Sequence, residues 1–503
     1  MHSLFFTSTD DWNRPNAVFA CAISDTAISE PVQVYHNSDE AVIVDVQRTK
    51  GCQCVAIAAS AKTSNEIYLM SDISQPPLLV RSRQAGIQYH LDVGTNHDIY
   101  LLASADLANH ESGLDEQLTL FKTSIGDLPL KSDFGIFMAG RSDEFVISDM
   151  DIFRDAIVLY ERSVINGHQR IRVKSSDSDS VVDIPHQMNP CGNMYYHAPA
   201  VQYTVESPIL EPVIYEYNFA DRTSSSLQPN SSTQEDSLDT YACMRVLVPS
   251  HDGVQVPLSL FHRKDVDPFQ RDNRVVLVGY GAYGEPVMRG FDPTAVPLVD
   301  RGIILAYAHT RGGGDLGRAW YEGGRLYNKH NAVEDYLACA QSLVDTFVEP
   351  KRLTAKAFSA GGVTVGAAIN RAPELFGSAV FVNAFLDVTT SMSNKMALTE
   401  HEYDEWGDPT LDKRAAATIA AFCPLTNLQE KNEDYPRTLI VGTLDDTNVP
   451  FWHALTYHAK LGGPHLVYMV PQGGHHMHGS SLDVAALTNT FILQSNPNLK
   501  KSS

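Results

Sequence analysis

The sequence predicts two domains, an all-β propeller-like domain over residues 1–240 and an α/β domain over residues 241–503. The first half repeats short strand-like runs at a regular spacing. A polar, Ser/Thr-rich segment at 219–240 lies between the halves and is typical of a flexible domain boundary. In the second half, strand-like runs alternate with helix-like runs, which indicates βαβ units and a parallel sheet covered by helices on both faces.

The composition is that of a globular chain and excludes several classes of partner. Of the 503 residues, 43% are hydrophobic and 19% are charged, which allows a large core. The net charge of −22 argues against nucleic acid and anionic membranes as partners. No apolar run reaches the roughly 18 residues of a membrane span. The amino terminus lacks a secretory signal and the seven cysteines are sparse, so we expect reduced thiols in the cytoplasm.

Five strand-like runs with alternating apolar residues recur about every 40–50 residues in the first half. Their centres are near Phe19, Tyr68, Thr119, Arg172 and Ile214. This period is typical of propeller blades, and we interpret each run as the strand that closes a blade unit. A β-sandwich with similar strand spacing is the alternative. Only two strands precede the end of the first unit, so we expect about five units with the first one partial.

The second half alternates two kinds of segment. Its strand-like runs are 274–280, 302–308, 352–358, 377–383, 437–442 and 465–470. Its helix-like runs include 331–347, 362–372, 450–461 and 482–494. The carboxyl ends of parallel strands meet at one edge of a sheet, so polar residues that follow these strands are expected to lie close together.

A serine follows the third of these strands directly. The apolar run RLTAKAF leads into Ser359, and a helix of small residues, GGVTVGAAIN, follows it. This arrangement resembles a nucleophile elbow, whose sharp strand–turn–helix exposes the serine Oγ at the sheet edge. Ala357 stands where a glycine is usual, and alanine fits there if its φ stays negative. The alternative is a chance Ser-x-Gly triplet.

Two further polar loops follow the last two strands. Asp445 and Asp446 lie in GTLDDTNVP, and His475 lies in GGHHMHG. The order Ser359, Asp446, His475 is the chain order of an α/β-hydrolase triad. As alternatives, either aspartate caps the following helix, or the histidine cluster binds metal. The histidine spacing is unfavourable for a metal, so we predict neither metal nor cofactor.

The second half also contains the motifs VGYGAYG (278–284), VDRGIILAYAHTRGGGDLGRAWYEGG (299–324), FSAGG (358–362) and EYDEWGDP (402–409). With the two loops above, these motifs resemble the prolyl oligopeptidase family of serine peptidases and, within it, oligopeptidase B most. The resemblance runs without a break from about residue 243 to 495. It implies an α/β-hydrolase catalytic domain capped by a β-propeller. Residues 1–242 match only as a propeller-like pattern.

The resemblance implies a role for each residue of the triad. Ser359 would be the nucleophile and His475 its general base. Asp446 would hold the imidazole tautomer, and Asp445 is the lesser candidate for that role. The family's oxyanion hole combines a tyrosine hydroxyl with the amide after the serine, which implies Tyr280 and the N–H of Ala360 here. Tyr283 is the second candidate for the tyrosine.

An acidic run suggests the substrate class. The segment TEHEYDEW (399–406) carries four carboxylates in six residues, and similar carboxylates in oligopeptidase B bind Arg or Lys at P1. Glu402 and Asp404 occupy those places, and Glu400 is the alternative in another register. The other interpretation is a solvated acidic helix turn. The implied substrates are short basic peptides, while a dibasic preference is doubtful because residues 285–290 read EPVMRG where the family has its acidic P2 residues.

The chain is shorter at its amino terminus than the family pattern. We therefore expect an incomplete propeller, whether the chain is a fragment, starts at a wrong methionine or is a diverged paralogue. Two functions from other classes stay open. One is a truncated, inactive paralogue that acts as a binding protein. The other is an esterase or acyl hydrolase that uses the same three residues.

Overall fold

The structure, a computed structural model, describes most of the chain. The described residues are 2–11, 13–51, 54–95, 97–103, 118–128, 135–138, 144–184, 187–228, 240–288, 290–394, 399–429 and 434–495. They form five small antiparallel sheets, followed by one eight-stranded sheet with helices packed against it. No helix among these residues is long and apolar enough to cross a bilayer.

The small sheets follow one another along the chain as antiparallel meanders, which are the blades of a β-propeller. The first has three described strands: β1 His2–Thr9, β2 Pro15–Ile23 and β3 Val32–His36. The second comprises β4 Ile43–Arg48, β5 Val55–Ser60, β6 Asn65–Met70 and β7 Leu78–Arg81. The third comprises β8 Tyr89–Val93, β9 Asp98–Ala103, β10 Thr119–Ser124 and β11 Gly135–Met138.

The last two small sheets have the same four-stranded pattern. One comprises β12 Phe145–Ile152, β13 Ala156–Ser163, β14 Gln169–Ser175 and β15 Asp179–Ile184. The other comprises β16 Gln187–Pro190, β17 Ala200–Ser207, β18 Leu210–Asn218 and β19 Thr223–Ser226. The strand β19 lies inside the segment predicted as a flexible loop. Within that segment, residues 229–239 fall outside the described residues.

The five predicted runs correspond to β2, β6, β10, β14 and β18. The prediction that each run closes its unit was wrong, because a further strand follows each of them in the same sheet. The added strands differ in their apolar content. All four residues of β19 are polar and exposed, whereas β7 and β11 are mostly apolar but only four residues long. Strands this short show no clear alternation of apolar and polar residues.

The large sheet has strand order β20-β21-β23-β22-β24-β25-β26-β27. Its strands are β20 Tyr241–Pro249, β21 Gln255–Arg263, β22 Arg274–Gly279, β23 Ile303–Ala308, β24 Leu353–Phe358, β25 Ser378–Val382, β26 Arg437–Thr443 and β27 Leu466–Val470. The six predicted strands are β22 to β27, and they pair in parallel. The sheet is mixed and not purely parallel as expected, because the hairpin β20–β21 adds two antiparallel strands at one edge.

Helices cover both faces of this sheet. They are α1 Val296–Val299, α2 Arg318–Glu322, α3 Lys329–Thr346, α4 Gly361–Arg371, α5 Val388–Ser393, α6 Thr399–Trp406, α7 Lys413–Phe422, α8 Pro424–Asn427, α9 Trp452–Leu461 and α10 Ser481–Ser495. The four predicted helices correspond to α3, α4, α9 and α10. Neighbouring residues of β22 enter two separate cores, Val275 and Leu277 on one face and Val276 on the other. This two-sided burial explains why the strand reads as a continuous apolar run.

A buried histidine on α9 stabilises the loop between β25 and α5. The Nδ1 atom of His453 accepts hydrogen bonds from the N–H groups of Leu386 and Asp387, both at 3.2 Å. Its Nε2 lies 3.1 Å from Ser391 Oγ. Burial lowers the pKa of His453 from 6.5 to about 4. The folded protein therefore holds this ring neutral at pH values where the unfolded chain protonates it.

We predict that the protein loses folding stability in acid and that the variant His453→Gln loses less. The folded pKa lies below the unfolded one, so the stabilisation is complete above pH 6.5 and is lost as the pH falls toward about 4. The loss amounts to about 1.4 kcal/mol per pH unit in that window. Urea unfolding at several pH values measures it. The variant should be less stable at pH 7 and show a shallower slope. Parallel slopes for the two proteins would contradict the assignment.

Candidate active site

Ser359 lies at a sharp turn between β24 and α4. Its φ is +52°, a left-handed conformation that is costly for a residue with a side chain. Three main-chain hydrogen bonds hold it. The Ser359 N–H donates to Val382 O at 3.2 Å, and the Ser359 carbonyl accepts from Gly362 N at 2.9 Å and Phe385 N at 2.8 Å. The strand–turn–helix therefore has the geometry that the sequence predicted for an elbow.

The residues after the serine must be small because other chain segments pass close by. A Cβ on Gly361 would lie 2.5 Å from the carbonyl oxygen of Gly279, and one on Gly362 would lie 2.7 Å from the Cβ of Ala384. Both distances are shorter than real Cβ contacts. Ala357 lies within β24, is buried and is not among the residues with positive φ. Alanine is therefore tolerated where a glycine was expected.

A chain of hydrogen bonds links the serine to a histidine and an aspartate. Ser359 Oγ lies 2.9 Å from His475 Nε2, and His475 Nδ1 lies 2.7 Å from Asp446 Oδ2. An ionised carboxylate only accepts hydrogen bonds, so Nδ1–H donates to Asp446 and leaves Nε2 to accept from the serine hydroxyl. The side chain of Asp446 is fully buried in this ion pair and that of His475 is 9% exposed.

The two adjacent aspartates have different contacts. Asp446 Oδ1 accepts from the N–H groups of Asn448 and Val449, at 2.8 and 2.9 Å, which fixes the carboxylate toward the histidine. Asp445 is exposed and accepts from the N–H groups of Gly473 and Gly474, at 3.1 and 2.9 Å. These backbone bonds lower the pKa of Asp445. Asp445 therefore secures the loop that carries the histidine without touching the ring.

A residue that the sequence analysis missed secures the same loop. Asn383, which follows β25, donates from Nδ2 to the main-chain oxygen of His475 at 2.7 Å. Its Oδ1 accepts from Thr443 Oγ1 at 3.2 Å. Its φ of +42° is a left-handed conformation that asparagine tolerates better than most residues. The sequence signal that could have identified Asn383 is its place directly after an apolar strand, at the same sheet edge as Ser359.

A cavity of about 450 Å³ opens over the serine. Ser359, Ala360, His475 and Tyr280 line it, so the structure brings together the predicted triad serine and histidine and both predicted oxyanion residues. Tyr280 follows β22, the parallel neighbour of β24, and this places the two residues at the same sheet edge. Among the described residues, no acceptor takes a hydrogen bond from the Ala360 N–H.

Tyr283, the second candidate, also lines the cavity but has other partners. Its hydroxyl accepts from Trp406 Nε1 at 3.1 Å, and the two rings meet edge to face at 5.9 Å. Burial raises its pKa well above 10, and the nearby carboxylates of Glu402 and Glu405 raise it further. Its φ of +61° is also left-handed.

Only one of the two predicted P1 carboxylates reaches this cavity. Glu402 lines it, whereas Asp404 does not and instead accepts from Thr63 Oγ1 at 3.3 Å. Both residues lie on α6, and residues two apart on a helix point in different directions. The side chain of Glu400, the other candidate, lies outside the described residues. Glu285, which the sequence analysis did not select, lines the cavity and is exposed.

The propeller contributes to this cavity a cation that the sequence did not predict. Lys62 lies in the turn between β5 and β6, and its Nζ lies 3.5 Å from Glu402 Oε1. The same ammonium lies 4.7 Å from the centre of the Tyr283 ring.

The described residues contain no group of three or more His, Cys, Asp or Glu side chains arranged to hold a metal ion.

A buried ion pair fixes the helix that carries Glu402. Lys329 Nζ lies 2.7 Å from Glu405 Oε1 and donates to the carbonyl of Gly281 at 2.9 Å. The second oxygen of Glu405 accepts from the hydroxyl of Tyr321 at 2.8 Å. Both charged side chains are at most 1% exposed. The ammonium also lies 4.4 Å from the centre of the Trp406 ring.

A second serine–histidine–aspartate chain lies elsewhere in the same domain. Ser259 Oγ is 2.7 Å from His309 Nε2, and His309 Nδ1 is 2.8 Å from Asp315 Oδ1. Ser259 lies within β21, is fully buried, and accepts from Arg245 Nε at 2.9 Å. It is therefore a buried structural group, whereas Ser359 faces a cavity.

Comparison with known proteins agrees with this geometry. A sequence profile described as the prolyl oligopeptidase family matches residues 289–495. The protein named prolyl endopeptidase-like from Rattus norvegicus is 30% identical over 486 residues, which cover 92% of this chain and 64% of that protein. Over most of its length the chain is therefore similar to the prolyl oligopeptidase family. It spans less than two thirds of the length of this relative.

Two further proteins extend the comparison. Dipeptidyl aminopeptidase BI from Pseudoxanthomonas mexicana is 29% identical, with 91% of this chain and 62% of that protein covered. The solved structure of oligopeptidase B from Trypanosoma brucei with covalently bound antipain, in a closed form, superimposes with a TM-score of 0.85. It is 26% identical, and the match covers 98% of this chain and 71% of that one. The fold is thus an α/β-hydrolase domain with a β-propeller, as predicted.

We predict that Lys329→Met destabilises the hydrolase domain strongly. The substitution leaves the Glu405 carboxylate buried without its counter-ion, and breaking such a pair costs about 3–5 kcal/mol. Denaturant unfolding measures the loss. The double variant Lys329→Met with Glu405→Gln should recover part of the stability, because the stranded charge is removed. A single variant as stable as the native protein would contradict the prediction.

Proposed function

We propose that this chain is a serine peptidase that cleaves short peptides after Arg or Lys through an acyl-enzyme intermediate. One observation carries the proposal. The hydrogen-bond chain from Asp446 through His475 to Ser359 ends on an elbow serine that faces an open cavity. The match to the prolyl oligopeptidase family, and the covalently bound antipain in the similar structure from Trypanosoma brucei, support the same reaction class.

The proposed reaction uses the chain's own residues at each step. His475 Nε2 takes the proton of Ser359 while Oγ forms a bond to the scissile carbonyl carbon. The oxygen of that carbonyl becomes negative and accepts hydrogen bonds from the Tyr280 hydroxyl and the Ala360 N–H, each worth about 3 kcal/mol. The amine leaves with the proton held by Nε2. Water then attacks the acyl-enzyme, with its proton passing through His475, and Ser359 is restored.

Asp446 acts through the histidine in this scheme. Its carboxylate keeps the proton on Nδ1, so that Nε2 is free to accept from the serine. It also stabilises the imidazolium that forms when Nε2 takes up the proton. The mechanism calls for no metal or cofactor.

The charge of the cavity supports a basic P1 side chain. Glu402 is a carboxylate within the cavity that holds Ser359, and Glu285 is a second one at its rim. A charge-assisted hydrogen bond is worth about 1.5–3 kcal/mol. One such bond would favour arginine over a neutral side chain by roughly 10- to 100-fold.

The described cysteines are free thiols, which supports the cytoplasm as the compartment.

An esterase is the second candidate. Lys62 offsets the charge of Glu402, and Phe385, Met392 and Trp406 give the cavity apolar walls. A neutral acyl group would suit such a cavity.

The test of function is hydrolysis of chromogenic Arg, Lys and Pro amides and of a neutral acyl ester. We expect cleavage of the Arg and Lys amides and at least a roughly 10⁴-fold lower kcat/KM for Ser359→Ala. Glu402→Gln should lower kcat/KM on the Arg and Lys amides but not on the Pro amide or the ester, while Asp404→Asn, whose carboxylate lies outside the cavity, should lower none of them. A folded protein that hydrolyses only the ester would establish the esterase. One that hydrolyses nothing would support the binding protein.

The adjacent aspartates provide an internal comparison. We predict that Asp446→Asn lowers kcat by roughly 10⁴-fold, because the amide no longer holds the proton on His475 Nδ1. Asp445→Asn should cost far less, since that residue bonds only to the main chain of the histidine loop. Steady-state kinetics on the Arg amide compares the two variants. Equal losses would show that the role assigned to Asp446 is wrong.

A further inference from the structure

Lys62 is a propeller residue that lies inside the catalytic cavity. It belongs to the four-residue turn between β5 and β6, whose Ala61 N–H donates to Ser64 O at 2.8 Å. Its ammonium lies 3.5 Å from Glu402 Oε1, and the two side chains are only 25% and 22% exposed. A lysine that only served solubility would extend into water instead of pairing with a carboxylate beside the reactive serine.

The surroundings of this turn hold the ammonium in place. The next residue, Thr63, donates from Oγ1 to Asp404 Oδ2 at 3.3 Å, so the turn is attached to the helix that carries Glu402. On the same helix, the His401 ring nitrogen Nδ1 lies 3.0 Å from the carbonyl of Ala41, in the preceding turn of the propeller. The position of Lys62 therefore depends on the docking of the propeller against the α/β domain.

The ammonium of Lys62 has the same chemistry as a basic P1 side chain. Both are cations on a flexible aliphatic stem, and Glu402 is the carboxylate that each would seek. Two cations cannot share one carboxylate at this distance without repulsion. The charge that would select a basic substrate is therefore already paired within the protein.

Displacement of the Lys62 ammonium from Glu402 carries a cost. Lys62 and Tyr283 line both the catalytic cavity and a second cavity of about 440 Å³ on the propeller side. Gln88 and Ser148 offer polar atoms there, but the guanidinium groups of Arg162 and Arg318 also line this second cavity and repel another cation. The ammonium is therefore better placed beside Glu402 than in the second cavity.

On the basis of the proposed function, we propose that Lys62 is a specificity-determining residue that occupies the P1 carboxylate when substrate is absent. A basic P1 side chain must displace its ammonium from Glu402, whereas a neutral side chain leaves the ion pair intact. Lys62 therefore lowers the preference for arginine over a neutral residue of the same shape.

The test measures binding, so that it does not depend on turnover. In the Ser359→Ala background, calorimetry compares a blocked peptide amide ending in arginine with the same peptide ending in citrulline, its neutral isostere. We expect Lys62→Met to tighten binding of the arginine peptide about tenfold, by removing the competing cation. Affinity for the citrulline peptide should stay within about twofold. Lys62→Arg should behave as the native residue.

Two controls separate competition from a structural effect. Lys122→Met removes a propeller lysine with similar contacts, an ion pair to Asp98 at 2.8 Å and a Tyr100 ring at 5.2 Å, but away from the catalytic cavity. It should change neither affinity. Combined with Glu402→Gln, Lys62→Met should no longer favour the arginine peptide, because the contested carboxylate is gone.

The outcomes distinguish this inference from the proposed function. Equal tightening of both peptides, weaker binding of the arginine peptide, or no binding of it to Lys62→Met would overturn the inference. If the arginine peptide tightens selectively but Ser359-dependent hydrolysis is absent, the inference stands and the peptidase proposal fails. If Arg amides are hydrolysed but the arginine-to-citrulline ratio does not move, the peptidase stands and Lys62 has no part in selection.

Discussion

The site depends on the left-handed turn at Ser359. A side chain in that conformation is strained, and the strain persists only because main-chain hydrogen bonds from neighbouring strands and loops hold the turn. Close packing at Gly361 and Gly362 brings the start of α4 against the end of β22 and the loop after β25. The same closeness places Tyr280 and the Ala360 amide beside Ser359. The elbow therefore fixes the serine and its predicted oxyanion groups in one arrangement.

The sequence allowed the prediction of features that follow from strand order. Ser359, Asp446 and His475 each follow an apolar strand, and parallel strands end at a common edge, so their meeting could be inferred without coordinates. Asp404 shows the limit of this reasoning. An acidic run suggests that several carboxylates converge, but the helical period sends Glu402 and Asp404 in different directions. Among the missed outer strands, β19 is polar and exposed, and β7 and β11 are too short at four residues to show a periodic pattern.

Contacts between the two domains and buried ion pairs could not be inferred from the sequence. Lys62 lies in a polar turn of the propeller, and nothing in its local sequence distinguishes it from a solvated lysine. Its significance comes from the contact between that turn and α6, which is a tertiary property. The Lys329–Glu405 pair is similar, since each partner reads as a surface charge until packing buries both. Such pairs contribute to the site by fixing the helix on which Glu402 lies.

The buried group of Ser259, His309 and Asp315 has a consequence for recognising enzymes by their coordinates. Its interatomic distances are as short as those around Ser359. A template search based on side-chain separations alone would return two active centres in this chain. What distinguishes them is the backbone conformation of the serine and the open volume beside its hydroxyl. Reactivity is therefore better read from main-chain torsion and accessibility than from a triplet of residue types.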